Sequence, residues 1–349
     1  MSHVKLEGLT KRFSNIEVLK NINLEIKEGE IISLLGESGC GKSTTLKVIA
    51  GILTPENGDI LFDGESVKHL STGKRDAAIV FQDYLLFPHM NVFENIEFGL
   101  KMKKIKKDLR YKKVKELIEL VKLDKYESKY PFELSGGQQQ RVAIARTLAI
   151  NPKVLLLDEP FSNLDINLRN EMREFVLELQ KKLKITTILV THDKEEALIM
   201  SDRVAVMVDG EIVQYDTPKN LYEKPNSKSV ANIFGERNYI LGKIKNNRFI
   251  SNIIEINLKD SEIYSQNEDF IELMIPKESI HIGDKGLIKG LQGRIIKRKY
   301  AGENTYYEIE LENQILKCSS CNHDYNIGEC VKVSIDSSKL VYFKNNRVI

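Results

Sequence analysis

No stretch of this sequence contains the roughly 18 uninterrupted apolar residues that a membrane-spanning helix requires. Its cleanest apolar runs are short, such as residues 154–157, and are typical of buried strands. Near the start, Lys5, Glu7, Lys11 and Arg12 interrupt any apolar segment, so we expect no signal peptide there. These absences predict a cytosolic chain that meets a membrane only through a partner.

An excess of either charge is also missing, since 52 Lys and Arg residues stand against 50 Asp and Glu residues, a net charge of +2. Nucleic-acid binding relies on clustered Lys and Arg side chains that neutralise phosphates and release counterions. We therefore expect no nucleic-acid partner. One lysine-dense stretch, residues 101–115, is interpreted as a solvated helix face, with attraction to an anionic membrane surface as the alternative.

Cysteine is scarce and unevenly placed, at Cys40, Cys318, Cys321 and Cys330. Four cysteines so distributed do not form a secreted disulfide framework, and a reducing compartment fits them better. Cys318, Cys321 and Cys330 together with His323 could alternatively bind Zn²⁺. The usual paired ligand spacing is missing from the second half of this group, so we favour reduced, partly buried thiols.

The chain of 349 residues is expected to contain two domains, at about 150 residues per domain. Residues 1–235 alternate short apolar strands with helical stretches, which is typical of an α/β domain around a mostly parallel sheet. Within them, residues 87–147 are mostly helical and predict a separate lobe. Residues 236–349 contain short alternating segments punctuated by Gly, Asn and Asp, which indicate a small all-β barrel or sandwich.

A phosphate-binding loop is predicted at residues 36–43, Gly-Glu-Ser-Gly-Cys-Gly-Lys-Ser, which satisfy G-x-x-x-x-G-K-[ST] between a strand and a helix. Glycines let backbone N–H groups surround phosphate oxygens, and the following helix N-terminus adds donors and a favourable dipole. Lys42 would reach the β- and γ-phosphates, and the Ser43 hydroxyl would bind Mg²⁺. Cys40 is expected to fill space in the loop. The residues expected to hold the nucleotide here are Gly36, Glu37, Ser38, Gly39, Cys40, Gly41, Lys42, Ser43 and Thr44.

Two acidic residues follow the buried strand at residues 154–157. They would stand at the carboxyl edge of the sheet, where ligands bind in open α/β folds. Asp158 is placed to hold Mg²⁺, and Glu159 to polarise the attacking water or accept its proton. A helix cap is the structural alternative for this pair, but the neighbouring phosphate loop disfavours it.

Residues 134–141, Leu-Ser-Gly-Gly-Gln-Gln-Gln-Arg, precede the acidic strand by the length of a helix. With this signature, the chain resembles the ATP-binding subunit of an ABC transporter over residues 3–235, as an α/β P-loop NTPase with a helical subdomain. The resemblance implies that Gln82 is the Q-loop glutamine, His192 the switch histidine and Phe13 the aromatic that stacks on adenine. The D-loop of the family would be Ser162, Asn163, Leu164 and Asp165, with Asn163 where the family more often has Ala.

The resemblance also implies a homodimer in which each copy closes over the ATP of the other. The signature begins a helix, and a helix N-terminus is a second anion-binding site on the same chain. A single ATP bound at the phosphate loop would leave this second site without a ligand. Asp165 would lie near the dimer interface. The implied ligands from the signature are Ser135, Gly136, Gly137 and Gln138. The implied catalytic residues are Glu159, His192 and Gln82, and the implied Mg²⁺ ligands are Ser43, Gln82 and Asp158.

Residues 80–95 resemble the importer branch of the family, in which this segment borders a groove for a permease helix. That resemblance implies integral-membrane permease subunits as partners, an extracytoplasmic solute-binding protein reached through the permease, and a peripheral position on the cytoplasmic face. Residues from 236 resemble the OB-like TOBE domain of one importer subgroup, for which regulation and dimer contact are expected. We find neither the basic stripe nor the paired stacking aromatics that oligonucleotide binding uses.

The cargo is less defined than the class. Residues 200–203, Met-Ser-Asp-Arg, and 235–238, Gly-Glu-Arg-Asn, favour polyamine or ferric-iron import, with sugar, phosphonate, sulfate and molybdate as alternatives. A soluble ABC ATPase of translation or DNA repair is a rival, but such chains typically carry two cassettes or long coiled coils. A regulatory module that merely retains the loop is a third possibility, which the intact Glu159 and His192 disfavour.

Overall fold

A computed structural model describes residues 2–258, 270–283, 288–321 and 324–349. The chain forms two compact units that divide between Pro218 and Lys219. Within the described ranges, each helix is too short or too polar to cross a membrane.

The described residues of the first unit form ten strands and six α-helices. The strands are β1 (Val4–Phe13), β2 (Ile16–Ile26), β3 (Ile31–Leu35), β4 (Asn57–Phe62), β5 (Glu65–Ser66), β6 (Ala77–Val80), β7 (Val154–Asp158), β8 (Thr186–Thr191), β9 (Arg203–Val208) and β10 (Glu211–Asp216). The helices are α1 (Lys42–Ala50), α2 (Val92–Met102), α3 (Lys107–Leu120), α4 (Gly136–Ala149), α5 (Ile166–Leu183) and α6 (Lys194–Met200).

Six of these strands form a sheet in the order β10-β9-β3-β8-β7-β6, in which all pairs are parallel except β10 with β9. Every residue of β3, β7 and β8 is buried, as expected for parallel strands covered on both faces. Leu35 pairs with Thr191, and Asp158 with Val190, so the carboxyl ends of the three strands meet at one edge of the sheet.

The two faces of this sheet contribute to different cores. Leu156 and Ile188 pack in a core shared with α1 and with the antiparallel sheet of order β2-β1-β4-β5. Leu155 and Leu189, on the other face, pack with the apolar residues of α2, α4 and α5. Side chains alternate across a strand, and one short apolar run therefore supplies both cores. Helices α2, α3 and α4 form the expected helical subdomain between β6 and β7.

The second unit is a small all-β, OB-like domain, which confirms the predicted fold class. Its strands form two antiparallel sheets, of order β13-β12-β11-β14-β20-β21 and β15-β19-β16-β17-β18, around one apolar core. The strands are β11 (Arg237–Lys245), β12 (Arg248–Ile250), β13 (Glu255–Asn257), β14 (Phe270–Pro276), β15 (Ile280–Ile282), β16 (Ile288–Ala301), β17 (Asn304–Leu311), β18 (Gln314–Ser320), β19 (Cys330–Ile335), β20 (Val341–Lys344) and β21 (Arg347–Val348).

Two short helices, α7 (Pro218–Glu223) and α8 (Lys228–Ile233), join this domain. The Tyr222 hydroxyl donates to Glu278 at 2.7 Å, and Ala231 is buried beside Met274 and Phe343. These contacts explain why the compact units divide at Pro218, earlier than the boundary that we placed near residue 235 from the change in sequence pattern. The functional boundary at residue 235 stays a prediction.

Candidate functional site

The predicted phosphate loop connects β3 to α1, and its backbone requires glycine. Gly39 and Gly41 have φ angles of 88° and 106°, in the left-handed region that side chains disfavour. A Cβ at Gly36 would lie 2.3 Å from the carbonyl oxygen of Met207, so this position also excludes a side chain. The Lys42 ammonium is buried and donates to the carbonyl oxygens of Gly36 and Glu37, both at 2.8 Å. The loop is thus closed around the lysine that would meet the phosphates.

Ser43, in the first turn of α1, donates its hydroxyl to Oδ1 of Asp158 at 2.7 Å. Asp158 is the last residue of β7 and is buried. Burial raises the pKa of its carboxyl, while the Ser43 hydrogen bond and the positive charge of Lys47 oppose the rise. Thr44 is half-buried beside Ser43. A hydroxyl and a carboxylate in contact at the sheet edge are the oxygen ligands that Mg²⁺ prefers.

Glu159 and His192 follow adjacent strands and contact each other, with Nδ1 of His192 lying 2.9 Å from Oε2 of Glu159. The Glu159 side chain is 20% exposed and that of His192 is 55% exposed, so water can reach both. Glu159 has a φ of 46°, an unfavourable value for a residue with a side chain. Its N–H donates to the carbonyl oxygen of Val190 at 3.0 Å, which helps to hold this turn.

A buried polar network behind His192 was not predicted from the sequence. Arg173 of α5 donates to Asp193 at 3.0 Å and to Glu196 at 3.1 Å. The Thr191 hydroxyl donates to Glu196 at 2.6 Å and accepts the N–H of Asp193 at 2.9 Å. The residues on both sides of His192 are therefore fixed to α5 and α6. The acidic residues Asp193, Glu195 and Glu196 gave a weak signal, but nothing local identified Arg173 as a partner.

The signature residues begin α4. The Ser135 hydroxyl accepts the N–H of Gln138 at 3.3 Å, and the Gln138 side chain accepts the N–H of Ser135 at 2.9 Å, a capping box. A Cβ at Gly137 would lie 2.7 Å from the Leu168 side chain, which follows the D-loop. Asp165 caps α5 by accepting the N–H groups of Asn167 and Leu168.

The predicted Q-loop segment is held by polar side chains of the helical subdomain. The amide of Asn95, which is fully buried, bonds to the backbone of Phe87 and to the carbonyl oxygen of Met90. Arg146 donates to the carbonyl oxygens of Tyr84 and Leu85, each at 2.8 Å. These contacts fix the loop that follows Gln82.

Gln82 itself is exposed, and its carbonyl oxygen accepts a bond from Asn163 of the D-loop at 3.4 Å. Phe13 ends β1 with 45% of its surface exposed, and the Lys11 ammonium lies 5.5 Å from its ring centroid.

The structure thus brings some predicted residues together and separates others. Lys42, Ser43, Asp158, Glu159 and His192 share one edge of the parallel sheet. Ser135 to Gln138 lie at the start of α4, and their contacts are with one another and with residues around the D-loop. Within the part of the chain that the structure describes, no hydrogen bond joins the signature to the phosphate loop.

The C-terminal cysteines are free thiols, and Cys318 is buried in β18 while Cys321 and Cys330 are exposed. Burial raises the pKa of Cys318 to about 12. No group of three or more His, Cys, Asp and Glu side chains in the described ranges is arranged to hold a metal ion. His323, the fourth ligand of the alternative zinc site, lies outside the described residues.

One edge of the sheet combines a glycine-built loop around a buried lysine, a serine–aspartate pair and a glutamate–histidine pair. This combination defines the class of P-loop nucleotide hydrolases. The sequence matches the ABC transporter family over residues 19–162. The Fe(3+) ions import ATP-binding protein FbpC 1 of Haemophilus influenzae is 46% identical over 281 residues, 80% of this chain and 86% of that protein. The spermidine/putrescine import ATP-binding protein PotA of Clostridioides difficile is 44% identical over 322 residues, 88% of each.

Two solved structures share the fold of the first unit. The ATP-binding cassette MJ0796, a dimeric post-hydrolysis structure bound to ADP and Pi, has a TM-score of 0.55 and 35% identity, covering 62% of this chain and 98% of its own. The cbiO1 protein of Clostridium perfringens, part of the ABC transporter complex cbiONQ, has a TM-score of 0.59 and 36% identity, covering 62% of this chain and 89% of its own. The chain belongs to the ATP-binding subunits of ABC importers. It is an ATPase that energises solute import. These importer relatives favour this assignment over the alternative, a soluble ATPase of translation or DNA repair.

Proposed function

We propose that two copies of this chain bind Mg·ATP head to tail and hydrolyse it to drive import through a membrane permease. The observation that carries the proposal is the contact between Glu159 and His192 at the edge that also holds Lys42 and Asp158. A carboxylate is thereby oriented beside a phosphate loop, which is the arrangement that hydrolysis of a phosphoanhydride requires.

The residues present fit a magnesium ion, because the Ser43 hydroxyl and the Asp158 carboxylate already meet at 2.7 Å and both offer oxygen ligands. Gln82, the third expected ligand, is exposed on a neighbouring loop. A bound Mg²⁺ would neutralise charge on the β- and γ-phosphates. In its absence, Asp158 protonates more readily than an ordinary aspartate, since burial raises its pKa.

In the proposed reaction, the oxygen of water bonds to the γ-phosphorus while the bond from phosphorus to the bridging oxygen of ADP breaks. His192 holds Oε2 of Glu159, and Oε1 remains to orient the water and accept its proton. Lys42 would transfer its hydrogen bonds from the loop carbonyls to phosphate oxygens. Phe13 would stack on the adenine, as its exposed ring allows.

The dimer is proposed because the signature is a second phosphate-binding end on the same chain. Helix α4 begins at Gly136, and its Ser135 cap accepts the N–H of Gln138. The first N–H groups of a helix have no partner within the helix, so those of Gly136 and Gly137 would be donors for a phosphate. Asp165, which caps α5 nearby, would lie at the interface. ATP would then join the two copies and hydrolysis would release them, with Ser135, Gly136, Gly137 and Gln138 completing the partner's site.

We place the permease contact on the segment after Gln82. Asn95 and Arg146 fix the backbone of this segment, and Leu85 is 56% exposed at its surface. A rigid loop with an exposed apolar side chain next to a nucleotide ligand suits a mechanical link to a partner helix. The chain would lie peripherally on the cytoplasmic face, and the solute-binding protein would be reached through the permease.

The proposed cargo is a polyamine or ferric iron, which the names of the two relatives described above support. Purified chain should hydrolyse Mg·ATP, and Lys42→Ala should abolish this activity. Isolation of the chain with its permease, followed by titration of the associated binding protein with spermidine and with Fe³⁺, tests the cargo. If the binding protein takes up a sugar or an oxyanion and neither of these two ligands, the cargo assignment is contradicted. The proposed ATPase activity would not be affected by that result.

A further inference from the structure

A cavity of about 170 Å³ lies on the solvent side of β16, β17 and β18 in the second unit. Tyr307 and Cys318, both buried, lie beneath it. Its charged lining consists of four ammonium groups and two carboxylates, from Lys277, Lys297, Lys299, Lys317, Glu236 and Glu308.

The register of the strands explains this concentration of charge. Lys297 of β16 pairs with Glu308 of β17, and Glu308 pairs in turn with Lys317 of β18. Lys299, two residues along β16 on the same face, pairs with Tyr306. Directly opposed residues point to the same face of a sheet, so these side chains project together around the cavity.

Only part of the positive charge is neutralised. Lys317 lies 3.1 Å from Glu236, and Lys297 lies 3.1 Å from Glu308. Lys277 and Lys299 are in no ion pair within the described part of the chain; the Lys277 ammonium lies instead 4.5 Å from the ring centroid of Tyr306. Lys317 first, and Lys277 and Lys299 more weakly, hold the pKa of Glu236 below its usual range. The cavity is therefore electropositive.

We propose that this cavity binds a phosphate group, either as inorganic phosphate or as a small phosphate ester. Lys277 and Lys299 would supply the two charges that match a phosphate dianion, and a lysine ammonium is a common point-charge partner of phosphate. Ion pairing keeps Lys297 and Lys317 in place at the rim. The cavity has a volume of about 170 Å³, several times the volume of one water molecule, which is about 30 Å³. It therefore has room for a phosphate and a few carbon atoms.

The test is calorimetric titration of the full chain, with its phosphate loop first saturated by a non-hydrolysable ATP analogue and Mg²⁺. The probes are inorganic phosphate and glycerol 3-phosphate, with glycerol as the uncharged comparison. The double variant Lys277→Gln/Lys299→Gln should raise the Kd at least about tenfold, because two charges close to the ligand are lost. The matched control, Lys243→Gln/Lys245→Gln on β11, removes the same charge outside the cavity and should change the Kd less than about twofold.

Tighter binding of the ester than of phosphate would assign the cavity to an ester, and equal binding would assign it to the free ion. Absence of binding by the parent chain would overturn the proposal. So would equal weakening in both double variants, because that result indicates a diffuse field with no local site. Lys299→Arg, which keeps the charge, should retain binding, and loss of binding in this variant would contradict a charge-based site. An unchanged thermal midpoint in each variant completes the comparison.

Discussion

Nδ1 of His192 lies 2.9 Å from Oε2 of Glu159, although the two residues follow different strands of the parallel sheet. The contact depends on the register of β7 with β8, which pairs Asp158 with Val190. The side chain of the glutamate that would activate water is therefore contacted by the residue that follows the neighbouring strand.

Replacement of this glutamate by its amide should separate nucleotide binding from hydrolysis. In Glu159→Gln, the side chain keeps its size and can still contact His192, but the amide cannot accept a proton from water. We expect turnover to fall by about 10²-fold or more, with ATP affinity little changed. Phosphate release and equilibrium nucleotide binding measure the two effects. Size-exclusion chromatography with Mg·ATP should show a trapped dimer, and normal turnover in this variant would contradict the proposed role.

Asp158 should impose a pH dependence on the stability of the nucleotide-free protein. Burial raises the pKa of its carboxyl in the native state above the pKa in the unfolded state. At a pH between these two pKa values, the native state keeps a proton that the unfolded state has lost. Its contribution to the free energy of unfolding is present below the unfolded pKa, about 3.9, and is lost as pH rises through the folded pKa.

In Asp158→Asn this loss should disappear, since the amide keeps an acceptor for the Ser43 hydroxyl but does not ionise. Urea unfolding across a pH series, without nucleotide, should therefore show the variant becoming more stable than the parent as pH rises. ATPase activity should fall by about 10²-fold or more, because a metal ligand is lost. A pH profile identical to that of the parent would refute the assignment.

The network behind His192 should be sensitive to loss of a single charge. Glu196→Gln leaves buried Arg173 with Asp193 as its remaining carboxylate partner and places an amide donor near the guanidinium. Breaking a buried pair from one side usually costs about 3–5 kcal/mol, and the remaining partner should reduce this to about 2–3 kcal/mol. The exposed neighbour provides the matched control: Glu195→Gln should change the unfolding free energy by less than about 1 kcal/mol in urea titrations.

The thiols should react with a disulfide reagent at very different rates. Burial raises the pKa of Cys318 to about 12, so few molecules carry its thiolate at pH 8. We expect the exposed Cys321 and Cys330 to react at least about a hundredfold faster. Mass spectrometry of the labelled chain identifies each site. Protection of Cys321 by added Zn²⁺ would instead favour the zinc alternative.

The features that the sequence predicted well are contiguous along the chain. The glycines of residues 36–43 and the acids after β7 carry their geometry in a few neighbouring residues, and buried runs such as 154–157 mark central parallel strands. The pairing of Arg173 with Glu196 depends instead on how α5 packs against α6.

The lysine cavity was missed for a related reason. The sequence showed no basic stripe, because Lys277, Lys297 and Lys317 are far apart along the chain. Strand register brings Lys297 and Lys317 to either side of Glu308, and Lys277 joins them from the turn after β14. Likewise, α7 and α8 joined the β-domain through tertiary contacts such as that of Tyr222 with Glu278. A change in composition near residue 235 cannot reveal those contacts.

The left-handed backbone of Glu159 has a consequence for how this site can change over time. A non-glycine residue in this region costs on the order of 1–3 kcal/mol, which the surrounding structure must absorb in every folded molecule. Glycine would relax the turn, yet it would remove the carboxylate. Selection for thermal robustness and selection for turnover therefore act in opposite directions on this one position.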